Sequence, residues 1–219
     1  MSNNFPLVIT ISRQLGSGGA LLGQKLAEKM NLLYFDREII NNVAKKLGVT
    51  TENLEWCDEI VIPQWQSIVK AFAHAQDALY LPPEYFMPSS KEIFAAESDV
   101  ILKVAKEKSA VIIGRCGAYV LRNHPKHVSI FLHADKEFRQ QQLQKLYGAS
   151  PKEAAKSIES TDKARARYIR EFTGNDMYDV RQYHLSIDTG VLGLDGTENL
   201  IFEYLHNRFG DVDLSQGAK

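Results

Sequence analysis

The run Leu7-Val-Ile-Thr-Ile-Ser12, followed by Arg13-Gln-Leu-Gly16-Ser17-Gly18-Gly19-Ala-Leu-Leu-Gly23, constrains the fold more than any other part of the chain. Six residues rich in Val, Ile and Thr form a buried strand, and the glycines after them form a tight loop. From Ala20 onward Leu22, Leu26, Ala27 and Met30 recur at helical spacing, so the loop opens a helix. Strand, glycine loop and helix gather free backbone N–H groups at a helix N-terminus, which makes a cradle for phosphate.

The usual phosphate-loop pattern is G-x-x-x-x-G-K-[ST]. With Gly18 as its second glycine, Arg13 stands at the first, Gly19 replaces the lysine and Ala20 replaces the Ser/Thr. The backbone half of the site is retained; the side chains that reach the outer phosphates and the metal are replaced. The shifted register Gly18-x-x-x-x-Gly23-Gln24-Lys25 would bury Lys25 inside the helix and is rejected.

A chain of 219 residues suits one domain with a smaller insertion. Its net charge of −1 argues against a general nucleic-acid binder. No run is long enough to span a membrane and no basic leader precedes an apolar stretch, so the expected location is cytoplasmic. Cys57 and Cys116 are too few for a disulfide framework or a zinc site, and no metal site is expected. His124-x-x-His127, flanking Pro125, is read as a solvent-exposed turn rather than a metal site.

Further strands are expected at Leu32–Phe35, Ala110–Gly114, Val128–Leu132 and Tyr183–Ile187, nearly continuous apolar runs of the kind covered on both faces. Helical patterns fall at Leu21–Met30, Arg37–Leu47, Ile93–Lys106, Lys136–Leu146, Pro151–Glu171 and Thr197–Asn207. Strand and helix alternate, so the class is α/β with a mainly parallel sheet. Between Phe35 and Ala110 the pattern is helical, interrupted by the three prolines of Leu81–Pro88, and reads as an insertion; Trp56 and Trp65 are assigned to its core. Ser150 is the expected N-cap of a helix with Pro151 in its first position.

Three clusters carry chemistry. Asp36-Arg37 directly follows the second strand, where ligands gather in open parallel sheets; Asp36 reads equally well as a helix N-cap. Gly114-Arg115 ends the third strand, where an arginine can fork onto phosphate oxygens. Asp162-Lys163-Ala-Arg165-Ala-Arg167-Tyr168-Ile-Arg170 concentrates positive charge on one helix. A charge run is commonly a solvated face, but the preference for arginine over lysine fits phosphate recognition.

These segments together resemble the cytidylate kinase-like family of P-loop nucleoside monophosphate kinases. The likeness rests on Ile9–Gly19 with Gly23, Tyr34–Glu38, Val111–Arg115, Asp162–Tyr168 and Tyr183–Thr189, and runs from about Leu7 to Asn207. It implies a P-loop NTPase fold: a three-layer α/β/α sandwich on a five-stranded parallel sheet, from residues 1–36 and 109–207. A helical nucleoside-monophosphate-binding insertion (37–108), a mobile arginine-bearing lid (about 136–175) and a polar tail (208–219) complete it. In that likeness Gly16, Ser17, Gly18 and Gly19 hold the donor phosphates. Asp36, Arg37 and Arg115 face the acceptor, and Arg165 and Arg167 serve in the lid. Gly19 stands where true cytidylate kinases keep a lysine, and Cys116 where an aspartate follows the Gly-Arg pair.

The expected activity is phosphoryl transfer from ATP, with Mg2+, to a small acceptor such as CMP, and Arg13 is the candidate to replace the missing lysine. Two alternatives stand beside it. One is a catalytically inactive nucleotide-binding protein of kinase fold. The other, more distant, is a dinucleotide-binding oxidoreductase, which lacks its third glycine because Leu21 occupies that position.

Overall fold

Alternating apolar runs and amphipathic helices assemble into a five-stranded, wholly parallel sheet. The computed structural model describes residues 5–36, 39–40 and 91–210. Arg37, most of the expected helix Arg37–Leu47, Trp56, Trp65, Leu81–Pro88 and the tail from 211 lie outside the described residues. In chain order the elements are β1 (Val8–Arg13), α1 (Gly19–Lys29), β2 (Leu33–Phe35), α2 (Lys91–Glu107), β3 (Ala110–Ile113), α3 (Gly117–Val120), β4 (His127–His133), α4 (Lys136–Tyr147), α5 (Pro151–Thr173), a 3-10 turn at Val180–Gln182, β5 (Leu185–Asp188) and α6 (Thr189–Phe209). The strand order is β2-β3-β1-β4-β5. This is the α/β fold of P-loop NTPases.

The two-residue repeat of the strands sorts the layers. Ile11 and Ile113 point to one face, where Gly23 of α1 packs so closely that a Cβ there would meet Ile113 Cδ1 at 2.5 Å. Thr10 and Ile112 point to the other face, against Gly117 of α3. Lys25–Asp195 (2.9 Å) and Lys29–Glu198 (2.6 Å) tie α1 to α6. Val8, Ile9, Ile11, Val111, Val128 and Ile130 are buried completely or nearly so, as strands covered on both faces require.

Element ends follow local chemistry. Ser150 and Glu153 form a reciprocal capping box at the start of α5, with Pro151 inside the first turn, as expected from the sequence. Asp188 caps α6, accepting from Gly190 N (2.9 Å) and Val191 N (3.3 Å). That helix therefore begins eight residues before the expected Thr197 and breaks at Gly193 (φ 68°, ψ 172°). β5 begins at Leu185 rather than Tyr183, because Tyr183 leaves the ladder to stack its ring on Phe131 at 5.2 Å.

The expectation for His124 and His127 needs correction. His127 is buried at the start of β4, its Nε2 bonded to Thr10 Oγ1 (2.8 Å). His124 Nε2 meets the Ala105 carbonyl at 2.9 Å. An imidazole with an internal partner for its polar edge is stable inside, so the pair is structural packing rather than a solvated turn. No helix among the described residues is long and apolar enough to cross a membrane.

Candidate active site

With all strands parallel, their C-terminal ends share one edge of the sheet, and the loop after central β1 sits at its middle. Gly16 (φ 84°) and Gly18 (φ 79°) take the left-handed conformation that reverses the chain into α1. A Cβ on Gly16 would come within 2.7 Å of the Arg139 carbonyl oxygen, so only glycine fits. The amides of Gly16, Gly18 and Gly19 donate to no other group among the described residues. They are unsatisfied donors at the start of a helix, the arrangement that binds anions.

Ser17 is not one of the outward-facing groups. Its buried hydroxyl lies 2.9 Å from the Gln14 carbonyl and 3.3 Å from that of Leu132, and its own carbonyl accepts from Thr189 Oγ1 at 3.0 Å. Its amide donates to the Gln14 carbonyl at 3.4 Å, so Ser17 shapes the loop from beneath and leaves the amides of Gly16, Gly18 and Gly19 to face a ligand.

The missing lysine has a steric counterpart. Arg13 runs across Gly19, where a Cβ would meet its Cβ and Cγ at 2.9 Å, and its Nη1 lies against Gly114. A side chain at either glycine would expel the arginine from this path. Gly19 and Gly114 therefore carry the Arg13 side chain from the loop to the end of β3.

A buried network grips the loop from the other side. Asp162 accepts from Leu15 N (2.8 Å) and from Arg139 Nη1 (2.6 Å). Arg139 also donates to the carbonyls of Leu15 (3.1 Å) and Ala134 (3.0 Å). Arg165 Nη1 donates to the Arg13 carbonyl at 3.1 Å. Leu15 packs into the small core made by Leu143, Ala154 and Ile158 of α4 and α5. Burial, then the charge of Arg13, pushes the Arg165 guanidinium well below the ordinary arginine range, while Asp162 opposes the shift. Arg139 and Arg165 thus converge on the Asp162 carboxylate beside the unsatisfied amides, a concentration of guanidinium groups that suits a phosphate group. Arg167, one helix face away, is exposed, as are Lys163 and Arg170.

At the end of β3, Gly114 (φ 74°), Arg115 (φ 50°) and Cys116 (φ 57°) are successive left-handed residues that turn the chain into α3. The Arg115 side chain pairs with Glu97 of α2 through Nη2 and stacks 4.4 Å from the centre of the Tyr168 ring of α5. Burial pushes the Cys116 thiol up to about 12, so it stays protonated and unreactive at neutral pH. Asp36 caps the chain after β2, accepting from Ile39 N at 3.1 Å. Arg13, the glycine loop, Arg165, Asp36 and Arg115 thus gather on one edge. Arg139 and Glu97 were absent from the sequence-based reading, because an isolated residue on a long helix carries no spacing signal; Tyr168 and Thr189 lay within the quoted segments but carried no assigned role. Asp162 had a spacing signal, its i,i+3 relation to Arg165.

A model of the cytidylate kinase-like family matches residues 8–191. The chain belongs to that family. Among curated relatives, the cytidylate kinase of Pyrococcus furiosus is 28% identical over 192 residues, covering 87% of this chain and 83% of that protein. The cytidylate kinase of Thermococcus kodakarensis is 29% identical with the same coverage. The solved structure of an uncharacterized protein from Eubacterium ventriosum shares the fold, with a TM-score of 0.70 and 24% identity, over 92% of this chain and 99% of that one. Membership of the cytidylate kinase-like family supports a nucleotide kinase, a phosphotransferase.

Proposed function

We propose that the protein transfers a phosphoryl group from ATP to a nucleoside monophosphate, CMP being the first acceptor to test. The observation that carries this reading is the path of Arg13, laid over Gly19 and ending at Gly114. It brings a permanent positive charge from the loop where the lysine is missing toward the strand end that bears Arg115. In this reading the amides of Gly16, Gly18 and Gly19, in a loop shaped by Ser17, hold the donor phosphates, and Arg115, Asp36 and Arg37 face the acceptor. Arg165 and Arg167 belong to a lid formed by α4 and α5, and residues 37–108 form the acceptor-binding insertion.

An acceptor phosphate is ionised at neutral pH, so the reaction needs no general base. Positioning and charge neutralisation suffice, and arginines with backbone amides supply both. Among the described residues no three His, Cys, Asp or Glu side chains form a metal cluster, and Ala20 occupies the loop position that elsewhere offers a hydroxyl. Mg2+ would then be held mainly by the nucleotide phosphates and water, and would supply charge neutralisation to the transferring group.

Turnover of ATP with a panel of nucleoside monophosphates tests the proposal, using wild type and Arg13→Met. The variant keeps most of the bulk and loses the charge. The expected result is a kcat lower by roughly 10²-fold with a smaller change in the KM for ATP. Unchanged turnover removes Arg13 from the mechanism. Absence of turnover in the wild type with every acceptor supports the non-catalytic reading, which the replacement of the loop lysine by Gly19 favours.

A further inference from the structure

Arg115 is held from two directions, by Glu97 of α2 and Tyr168 of α5. Glu97, on α2, is completely buried, and both its carboxylate oxygens are used: Oε1 takes Arg115 Nη2, and Oε2 accepts from Tyr168 Oη at 2.8 Å. The Arg115 guanidinium carbon lies over the Tyr168 ring, 4.4 Å from its centre. The Arg115 side chain is itself about nine-tenths buried, and its Nε has no hydrogen-bond partner among the described residues. A buried donor without a partner is costly unless something else comes to satisfy it.

From this geometry we infer that Glu97 and Tyr168 are positioning residues for the acceptor phosphate: they fix the Arg115 guanidinium so that its remaining donors are set for one oxyanion. The inference rests on the reading of Arg115 as an acceptor contact. A carboxylate buried this deeply, with both oxygens engaged, cannot swing away on each cycle, so it acts as a fixed strut rather than a competing anion. Phe94 and Phe172 stack at 4.6 Å beside the triad and hold α2 against α5 independently of Glu97. The helices therefore keep their spacing when the strut is changed, while Arg115 gains rotational freedom that acceptor binding must remove.

Calorimetric titration of CMP and of ATP into the full chain tests this with E97Q, Y168F, R115A and the double variant E97Q/R115A. Expected are a loss of CMP affinity of about tenfold in E97Q and about threefold in Y168F, with ATP affinity within about twofold of wild type. E97Q should cost nothing further in the R115A background, because the residue it positions is gone. Y168F keeps the ring and its packing, so it remains informative where E97Q fails to fold. Unchanged or tighter CMP binding in Y168F overturns the inference, as does an equal loss for both nucleotides, which would mark the triad as part of the fold alone. Failure of the wild type to bind CMP or any other nucleoside monophosphate overturns the acceptor reading beneath it. That result comes before any variant is made.

Discussion

Gly16 combines two constraints in one residue: a left-handed backbone and a neighbouring carbonyl that leaves no room for a methyl group. Gly148 shares the first constraint (φ 64°) but has nothing within 4 Å of the point where a methyl group would lie, so the two glycines separate conformational strain from steric exclusion. Gly148→Ala should cost about 1 kcal/mol, the ordinary penalty for a side chain in that conformation. Gly16→Ala should cost on the order of 2–4 kcal/mol and weaken ATP binding, because either the loop or the start of α4 must move. Urea unfolding of both variants, with ATP titration of each, checks the difference. Equal destabilisation would mean that the Arg139 carbonyl yields easily.

At the scale of elements, the loop is shaped by α4 and α5 through a buried ion pair. Asp162→Asn would leave Arg139 buried with its charge uncompensated, a loss of about 3–5 kcal/mol. Asparagine keeps one acceptor oxygen for the two donors, Leu15 N and Arg139 Nη1, so the grip on the loop is weakened and nucleotide affinity should fall with stability. Measuring both on the same variant checks the coupling; a stability loss with unaltered nucleotide affinity would show that the loop keeps its shape without the clamp. The strands and long helices were legible in the sequence because their apolar periodicity is strong, and the glycine loop because its residues are contiguous. The clamp was not, since Arg139 and Asp162 lie on two helices and meet only through tertiary packing. α3 escaped because it begins after two non-glycine residues in left-handed conformation, which no propensity favours. Ser17 was legible as part of the cradle, but its inward hydroxyl depends on the Leu132 carbonyl, more than a hundred residues away.

For the whole molecule, acid should act chiefly through His127, buried at the start of β4, with the more exposed His184 beside it. His127 is pushed down to about 3, chiefly by burial and then by His184, His124 and Arg208; His184 is lowered by burial and by Arg208. His127 is therefore neutral when folded, whereas in the unfolded chain it takes up a proton near pH 6.5; His184 contributes in the same direction. Between pH 6.5 and about 3 the unfolded state binds more protons, so stability is full above that window and falls as pH falls through it. His127 alone should cost roughly 2 kcal/mol by pH 5. Urea midpoints at pH 7.5, 6 and 5 check this, with His127→Gln expected to flatten the slope. A wild-type midpoint that does not change over that range would place protonated His127 in an environment that tolerates its charge.

The hydrogen bond from Thr189 to the Ser17 carbonyl spans 172 positions of chain, and the Asp162–Leu15 bond spans 147. During synthesis the loop therefore emerges first but gains its anchors last, when the fifth strand and the helix after it have left the ribosome. Closing such long loops is slow and entropically expensive, so the cradle can form only in a nearly complete chain. A nascent or truncated chain consequently has no shaped cradle with which to capture nucleotide, and ligand binding stabilises only molecules that have finished folding.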